Sequence, residues 1–186
     1  MDALELVKKA QGGDSQAFGA LYDQLADRIY RFIKIKVQNR QQAEDLLQET
    51  FIKVWRHLNQ FFPEGGTFQA WVYKIALNSV NDHFRKIYRK PETLELNENI
   101  DKASGENLES EVADRIETEK VLRTFDLLDG NYRLVLQLRF GEDMSVEETA
   151  KILNKSKLAI RVIQHRALAK LRKLIKDNDV LGHSKI

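Results

Sequence analysis

The chain has 186 residues, of which 42% are hydrophobic, 31% are charged and none is cysteine, and its formal net charge is +2. The lack of cysteine excludes disulfide bonds and thiolate metal sites, so a reducing compartment is the default expectation. No apolar run approaches the ~20 residues that cross a bilayer, and the N-terminus lacks the apolar core of a secretory signal. We therefore expect a cytoplasmic protein without membrane insertion.

The small net charge conceals three blocks of different sign. Residues 1–90 carry 14 basic and 10 acidic side chains, residues 91–119 carry 2 and 10, and residues 120–186 carry 14 and 8. Two basic blocks around an acidic connector are the pattern that two DNA-binding modules and a linker give.

Helical periodicity dominates the first 90 residues. Apolar residues recur there at three- and four-residue steps and predict four helices, of which the third runs from about Gln41 to Leu58. Asp14 and Thr67 are placed to cap the second and fourth helices. The predicted apolar faces include Leu4, Val7, Phe18, Leu21, Tyr22, Leu25, Ile29, Phe32, Leu46, Phe51, Val54, Trp55, Phe68, Trp71 and Ile75.

The periodicity fades after Pro91 and returns near residue 120. We expect a flexible acidic linker over 91–119, whose last residues from 112 on can already be helical, and a second helical unit over 120–178 before a tail at 179–186. That unit has predicted helices around Leu122–Leu128 and Leu134–Phe140, a turn at Asp129–Gly130–Asn131, and a break at Gly141 and Asp143. The expected fold is all-α, with two small helical domains and a helix-turn-helix in the C-terminal one.

The segment 145–176, SVEETAKILNKSKLAIRVIQHRALAKLRKLIK, is the helix-turn-helix candidate. Two helical patterns meet at Asn154–Lys155, and residues 155–176 contain eight basic and no acidic side chains. A short helix, a turn and a basic helix is the layout that reads a DNA major groove, although a basic solvated face is the alternative. Ser156 can cap the second helix. The candidates to reach bases or phosphates are Lys157, Arg161, Gln164, His165 and Arg166.

Residues 43–55, AEDLLQETFIKVW, place Glu44, Asp45, Gln48 and Glu49 on one polar helix face. Such a face can bind a metal, contact a basic protein surface or simply be solvated. Because no histidine follows at ligand spacing on that helix except His57, metal binding is disfavoured. Chemistry alone favours the solvated face.

Residues 67–90, TFQAWVYKIALNSVNDHFRKIYRK, mix aromatic, amide and basic side chains. Aromatic rings stack on unpaired bases and cations hold the backbone, so the mixture suits single-stranded or melting DNA. The alternative assigns Phe68, Trp71 and Ile75 to the core, and part of that assignment is expected to hold. With no cysteine nucleophile, phosphate-cradling glycine loop or paired histidines, we expect neither an enzyme nor a cofactor.

These three segments in this order resemble the extracytoplasmic-function (ECF) group of bacterial sigma factors. The family pattern F-x-x-W-L-x-x-I-A-x-N-x-x-x-D-x-x-R is met by Phe68, Trp71, Val72, Ile75, Ala76, Asn78, Asp82 and Arg85, with Val72 in place of leucine. The resemblance covers nearly the whole chain. It implies that residues 1–90 form a region 2 domain and residues 120–178 a region 4 domain.

The resemblance also implies partners and site residues. The partners are core RNA polymerase, promoter DNA that is duplex at the minus-35 element and single-stranded at the minus-ten element, and an anti-sigma factor. Asp45, Gln48 and Glu49 are the implied polymerase contacts. The implied minus-ten residues are Phe62, Gly66, Thr67, Trp71, Lys74, Asn78, Asn81, Arg85 and Lys86. The implied minus-35 residues are Ser156, Lys157, Arg161, Val162, His165 and Arg166.

The chain departs from the family pattern in the C-terminal unit. Asp129 stands where the family often has proline, and the run S-x-G-T-V-K-S-R-L is replaced at Leu158, Ala159, Val162, Ile163 and Gln164. Two other functions remain possible at this point. One is a stand-alone helix-turn-helix regulator that uses only residues 120–176, and the other is a sigma mimic that sequesters an anti-sigma factor.

Overall fold

The computed structural model describes residues 2–37, 39–89 and 124–182, and these ranges contain helices and no β-strand. The expected all-α class is therefore confirmed. The acidic linker at 91–119 and the helical start suggested for 112–119 lie outside the described residues. The helices are α1 (Ala3–Gln11), α2 (Ser15–Val37), α3 (Arg40–His57), α4 (Phe68–Arg89), α5 (Gly130–Leu136), α6 (Val146–Leu153) and α7 (Lys157–Gly182). Short 3-10 turns at Leu58–Gln60 and Pro63–Gly65 precede α4, and a π-helical turn at Gln137–Gly141 follows α5.

The described residues form two compact units. The first contains the described residues up to 89 together with Glu147–Lys155, and the second contains the described residues of 124–146 and 156–182.

Side-chain caps fix the starts of α2 and α4 in the first unit. The Asp14 carboxylate accepts hydrogen bonds from the backbone N–H groups of Gln16 and Ala17 at 2.9 and 3.1 Å. The Thr67 hydroxyl accepts one from the Ala70 N–H at 3.2 Å. Each cap satisfies a backbone donor that the first helical turn leaves without a partner. Both predicted caps are confirmed.

The core of the first unit is built around α2, which packs against α1, α3 and α4. Phe32 of α2 is fully buried and meets the buried Tyr73 of α4 edge to face, with 5.0 Å between ring centroids. Val54 of α3 and Val72 of α4 are also fully buried. The buried stripes of the three helices thus face one another and leave the polar faces of α3 and α4 outside.

In the second unit α5 packs against α7 around the buried residues Leu128, Leu136 and Ala167. The predicted turn at Asp129–Gly130–Asn131 is wrong, because α5 begins at Gly130. The Asp129 carboxylate caps this helix by accepting a hydrogen bond from the Asn131 N–H at 2.8 Å. A side-chain cap therefore starts the helix where the family pattern has proline.

Several apolar residues of the predicted helices are exposed, most clearly Leu127 at 64% and Phe140 at 58%. Leu127 follows the last helical residue of its segment, so no regular helix aims it at the core. Phe140 lies in the π-helical turn, where one extra residue per turn rotates the following side chains away from the predicted face. Leu4, Tyr22 and Trp55 are also partly exposed.

Candidate functional site

The outward side of α3 combines acidic, amide and apolar side chains. Asp45 and Gln48 are exposed, and the Glu49 carboxylate forms an ion pair with Lys53 at 2.7 Å. Ile52 and Trp55 lie on the same face and are 51% and 43% exposed. We call the surface formed by Asp45, Gln48, Glu49, Ile52 and Trp55 the α3 face. Large apolar side chains exposed together on one face are a feature of protein interfaces, so this surface is a candidate interface.

Sequence reasoning missed Ile52 and treated Trp55 as structural. The Trp55 ring does contact Phe18, with 4.7 Å between centroids, while much of its surface stays accessible. Ile52 comes four residues after Gln48 and three after Glu49. That helical spacing places it among the polar residues and could have revealed it.

The loop between α3 and α4 is held in a defined shape. The Gln11 side-chain amide donates hydrogen bonds to the carbonyl oxygens of Leu58 and Phe61 at 3.0 and 3.1 Å. Phe61 is buried against Phe68, with 5.2 Å between ring centroids, whereas its neighbour Phe62 is 66% exposed. The loop thus anchors one aromatic ring and presents the next one to solvent.

Gly66 and Thr67 complete this loop. Gly66 has φ of +133°, a conformation that side-chain-bearing residues rarely adopt. Thr67 is exposed and caps α4 as described above, and Trp71 is half-buried at 5.6 Å from Phe61. The partial core assignment of Phe68 and Trp71 is therefore confirmed.

The predicted minus-ten residues of α4 share one side of the helix. Asn78, Asn81, Arg85 and Lys86 are exposed, and Lys74 is half-buried. Arg85 lies 3.5 Å from the Asp82 carboxylate, and both side chains are largely exposed, so this ion pair is weak. Amide and cationic groups therefore follow one another along one side of α4, an arrangement that suits a nucleic-acid strand. We call Lys74, Asn78, Asn81, Arg85 and Lys86 the row on α4.

Two aromatic rings extend this row toward the end of α4. Phe84 and Tyr88 stack with 6.4 Å between centroids and 29° between ring planes. Tyr88 is 80% exposed. Both rings belong to the aromatic, amide and basic mixture of residues 67–90, but neither was predicted as a site residue.

A charged cleft joins the α3 face to this row. It is lined by Glu49 and Lys53 from α3 and by Asp82, Arg85 and Lys86 from α4. The Lys53 ammonium also donates a hydrogen bond to the hydroxyl of buried Ser79 at 3.0 Å. The structure therefore brings Glu49, an implied polymerase contact, close to Arg85 and Lys86, two implied DNA contacts. The sequence did not indicate this proximity.

The start of α7 presents the implied minus-35 residues. The Ser156 hydroxyl accepts a hydrogen bond from the Ala159 N–H at 3.1 Å, which confirms the predicted cap. Asn154 has φ of +52°, so the chain breaks where the sequence indicated. Lys157, Arg161, Val162, His165 and Arg166 are all exposed.

Gln164 was a predicted DNA-facing residue, and the structure corrects this. Its side chain is half-buried, and its oxygen accepts a hydrogen bond from Arg139 Nε at 3.1 Å. Arg139 also donates to the carbonyl oxygen of Met144. Because the amide is held inside the second unit, it is not presented to a DNA groove.

Neither a metal-binding cluster nor a membrane-spanning helix is found in the part of the chain that the structure describes. Across 2–37, 39–89 and 124–182 no three histidine, aspartate or glutamate side chains gather in a way that could hold a metal ion. Within the same ranges no helix combines the length and the apolar character that a membrane span requires.

Comparison with known families matches two stretches of the chain. Residues 21–90 match Sigma-70 region 2, and residues 125–173 match Sigma-70, region 4. The chain thus has the two conserved regions of a sigma factor, a class of DNA-binding transcription initiation factors rather than of catalytic enzymes.

Relatives narrow the class. The chain is 37% identical over 184 residues to the ECF RNA polymerase sigma factor BldN of Streptomyces coelicolor, with 94% of this chain and 66% of BldN covered. It is 32% identical over 169 residues to the ECF RNA polymerase sigma factor SigX of Bacillus subtilis, with 85% and 83% covered. The solved structure of CnrH in complex with the cytosolic domain of CnrY matches with a TM-score of 0.64 and 28% identity, over 95% of this chain and 99% of that chain. The chain belongs to the ECF family of RNA polymerase sigma factors, which bind core polymerase and direct promoter-specific initiation.

Proposed function

We propose that this ECF sigma factor divides its work among three surfaces. The α3 face binds core RNA polymerase, the loop before α4 and the exposed side of α4 hold the melted minus-ten element, and the start of α7 reads the minus-35 duplex. The observation that supports the proposal is that most of these polar and basic residues are exposed, with Glu49 and Lys74 partly buried, so packing into the apolar cores does not account for them.

Polymerase binding is assigned to Asp45, Gln48 and Glu49. Their side chains combine acceptors with the neighbouring apolar surface of Ile52 and Trp55. A partner with basic groups around an apolar patch fits this chemistry, because opposite charge steers the encounter and apolar burial supplies affinity.

Minus-ten binding is assigned to Phe62, Gly66 and Thr67 in the loop, and to the row along α4. An unpaired base leaves its stack at a cost of a few kcal/mol, so a shaped and partly aromatic site must compensate for that cost. The exposed Phe62 ring beside the fixed backbone of Gly66 supports this role. The α4 residues in this assignment are Trp71, Lys74, Asn78, Asn81, Arg85 and Lys86.

Minus-35 binding is assigned to the first turns of α7. Ser156 orients the helix start, where backbone N–H groups favour a phosphate. Arg161 and Arg166 suit bidentate contact with guanine, and Lys157 suits a phosphate. Val162 and His165 complete the exposed set.

An anti-sigma factor is the regulatory partner that we propose. CnrH, whose structure this chain resembles, was solved with the cytosolic domain of CnrY bound to it. The exposed apolar part of the α3 face is a surface that such a protein can cover, and covering it would exclude polymerase. The site of action is the cytoplasm, and the polymerase, not this chain, supplies the chemistry.

The test is transcription in vitro with core polymerase, the full chain and a fragmented genomic library, with start sites mapped by sequencing. We expect starts that share two upstream elements and that disappear when Asp45 and Glu49 are both changed to lysine. Asp23→Lys with Asp27→Lys is the matched control, because these carboxylates are exposed four residues apart on α2.

The outcomes separate the candidate functions. Equal loss in both double variants would mean that total charge, not the α3 face, governs activity. Polymerase binding without specific starts would identify a sigma mimic, and specific duplex binding without polymerase binding would identify a stand-alone regulator.

A further inference from the structure

Two aliphatic side chains stand out at the start of α7. Leu158 is 70% exposed and Val162 is 41% exposed, although both are large apolar residues. They are four residues apart and therefore lie one above the other on the same side of the helix. The opposite side of α7 is occupied by the fully buried Ile160 and Ala167, so this orientation leaves the pair facing solvent.

The surroundings of the pair are strongly basic. Lys157, Arg161 and Arg166 are exposed next to it, and no acidic residue occurs between residues 155 and 176. A surface of this charge favours a polyanion over an ordinary protein partner. The occupant that fits both charge and apolar character is therefore duplex DNA with apolar groups in its major groove.

Thymine is the base that supplies such a group. Its C5-methyl projects into the major groove and is read by apolar side chains, whereas cytosine, adenine and guanine carry no methyl group there. Residues near the start of a recognition helix are those that reach base edges. Leu158 is the second residue of α7, and Val162 follows in the next turn.

We propose that Leu158 and Val162 read thymine methyl groups in the minus-35 element, an inference that rests on the proposed DNA-binding role of α7. A separation of four residues advances about 6 Å along the helix axis. Because base pairs are spaced by about 3.4 Å, the two methyl groups lie within about two base-pair steps of each other. Because Leu158 and Val162 depart from the family pattern, we expect this chain to recognise a different minus-35 sequence from relatives that keep the pattern.

The test compares thymine with deoxyuridine, which lacks only the methyl group. Holoenzyme is assembled from core polymerase and the full chain, and its affinity is measured for a promoter whose minus-35 thymines are replaced by deoxyuridine one at a time. We expect one or two replacements to weaken binding about three- to fivefold each, as the burial of one methyl group implies. Replacements in the spacer serve as the control and are expected to have no effect.

Leu158→Ala and Val162→Ala then assign each methyl group to a side chain. Each variant is expected to bind the thymine promoter more weakly and to lose the deoxyuridine effect at one position. Leu127→Ala, which removes an equally exposed aliphatic side chain elsewhere in the second unit, is expected to retain the effect. Circular dichroism verifies that all three variants are folded.

Three results would overturn the inference. If no deoxyuridine replacement weakens a holoenzyme that binds its promoter, methyl groups are not read, and the proposed function stands. If deoxyuridine replacement weakens binding equally in the parent protein, Leu158→Ala and Val162→Ala, other residues contact the methyl groups. If Leu158→Ala impairs assembly with polymerase and deoxyuridine replacement leaves the promoter affinity unchanged, Leu158 and Val162 contact a protein instead of DNA. A holoenzyme that binds no promoter would instead refute the proposed function.

Discussion

Arg139 Nε donates a hydrogen bond to the side-chain oxygen of Gln164 across 3.1 Å, which ties the π-helical turn to the middle of α7. The sigma-factor pattern has leucine at this position of the helix. Here a half-buried amide is satisfied by a guanidinium instead of being packed among apolar groups. The departure at Gln164 is therefore accommodated within the second unit, and Lys157, Arg161 and Arg166 remain exposed on α7.

We expect Arg139→Ala to destabilise the chain by about 1–3 kcal/mol, because it leaves the Gln164 amide and the Met144 carbonyl without this donor. Gln164→Ala is expected to cost less, and the double variant less than the sum of the two. Urea unfolding followed by circular dichroism measures all three. Strictly additive losses would show that the two side chains do not interact in solution.

The cap at Ser156 allows stability and DNA binding to be separated. Ser156→Ala removes the acceptor for the Ala159 N–H and is expected to cost about 1 kcal/mol. Ser156→Asp keeps a capping acceptor but places a negative charge where a phosphate is expected to bind. We therefore expect the aspartate variant to unfold like the parent protein and to bind minus-35 duplex at least tenfold more weakly.

Thermal unfolding and gel-shift titration of the minus-35 duplex decide this prediction. Asn39→Asp is the matched control, because the exposed Asn39 side chain caps α3 by accepting a hydrogen bond from the Gln42 N–H at 3.0 Å. That substitution is expected to leave the minus-35 affinity unaltered. Equal affinity of the parent and Ser156→Asp would argue that no phosphate lies at this helix start.

Local signals in the sequence predicted the fold well, and tertiary contacts explain where they failed. Asp14 and Ser156 were recognised as caps because a cap depends only on residues within one turn. The exposure of Phe140 was missed because a π-helical turn shifts the side-chain period without a local signature. Gln164 was misassigned because its partner Arg139 is 25 residues away along the chain.

The candidate site was predictable to a similar extent. Resemblance identified the exposed charges of α3, α4 and α7, but it did not point to Ile52, which only the helical spacing from Gln48 and Glu49 places on the same face. Likewise, the cleft that brings Glu49 to Arg85 exists only because α3 and α4 pack side by side.

Ile52 gives a direct test of the apolar part of the α3 face. Because Ile52 is 51% exposed within a helix, Ile52→Ala is expected to change the free energy of unfolding by no more than about 0.5 kcal/mol. The same change removes apolar area from the proposed interface and is expected to weaken polymerase binding about three- to tenfold. Fluorescence anisotropy of labelled protein with core polymerase measures the affinity.

Leu4→Ala is the control for Ile52→Ala, since Leu4 is a partly exposed aliphatic residue on α1, away from the α3 face. It is expected to bind polymerase like the parent protein. If Ile52→Ala also binds normally, the α3 face contacts polymerase through its polar groups alone.

Tyr88 tests whether the aromatic end of α4 takes part in promoter opening. Its ring is 80% exposed and stacks on Phe84, so it offers a face to a base at the upstream edge of the melted region. Stacking of one base on an aromatic side chain contributes about 1–3 kcal/mol. Tyr88→Ala is therefore expected to reduce open-complex formation on duplex promoter by tenfold or more, and Tyr88→Phe is expected to retain most of it.

Permanganate footprinting of unpaired thymines measures this opening, and a template with a preformed bubble provides the comparison. On that template Tyr88→Ala is expected to lose much less activity, because the energy of strand separation has already been supplied. A uniform loss on both templates would indicate that Tyr88 contributes to binding rather than to melting. Full activity of Tyr88→Ala on duplex promoter would remove the aromatic pair from the nucleic-acid interface and leave the row on α4 to end at Arg85 and Lys86.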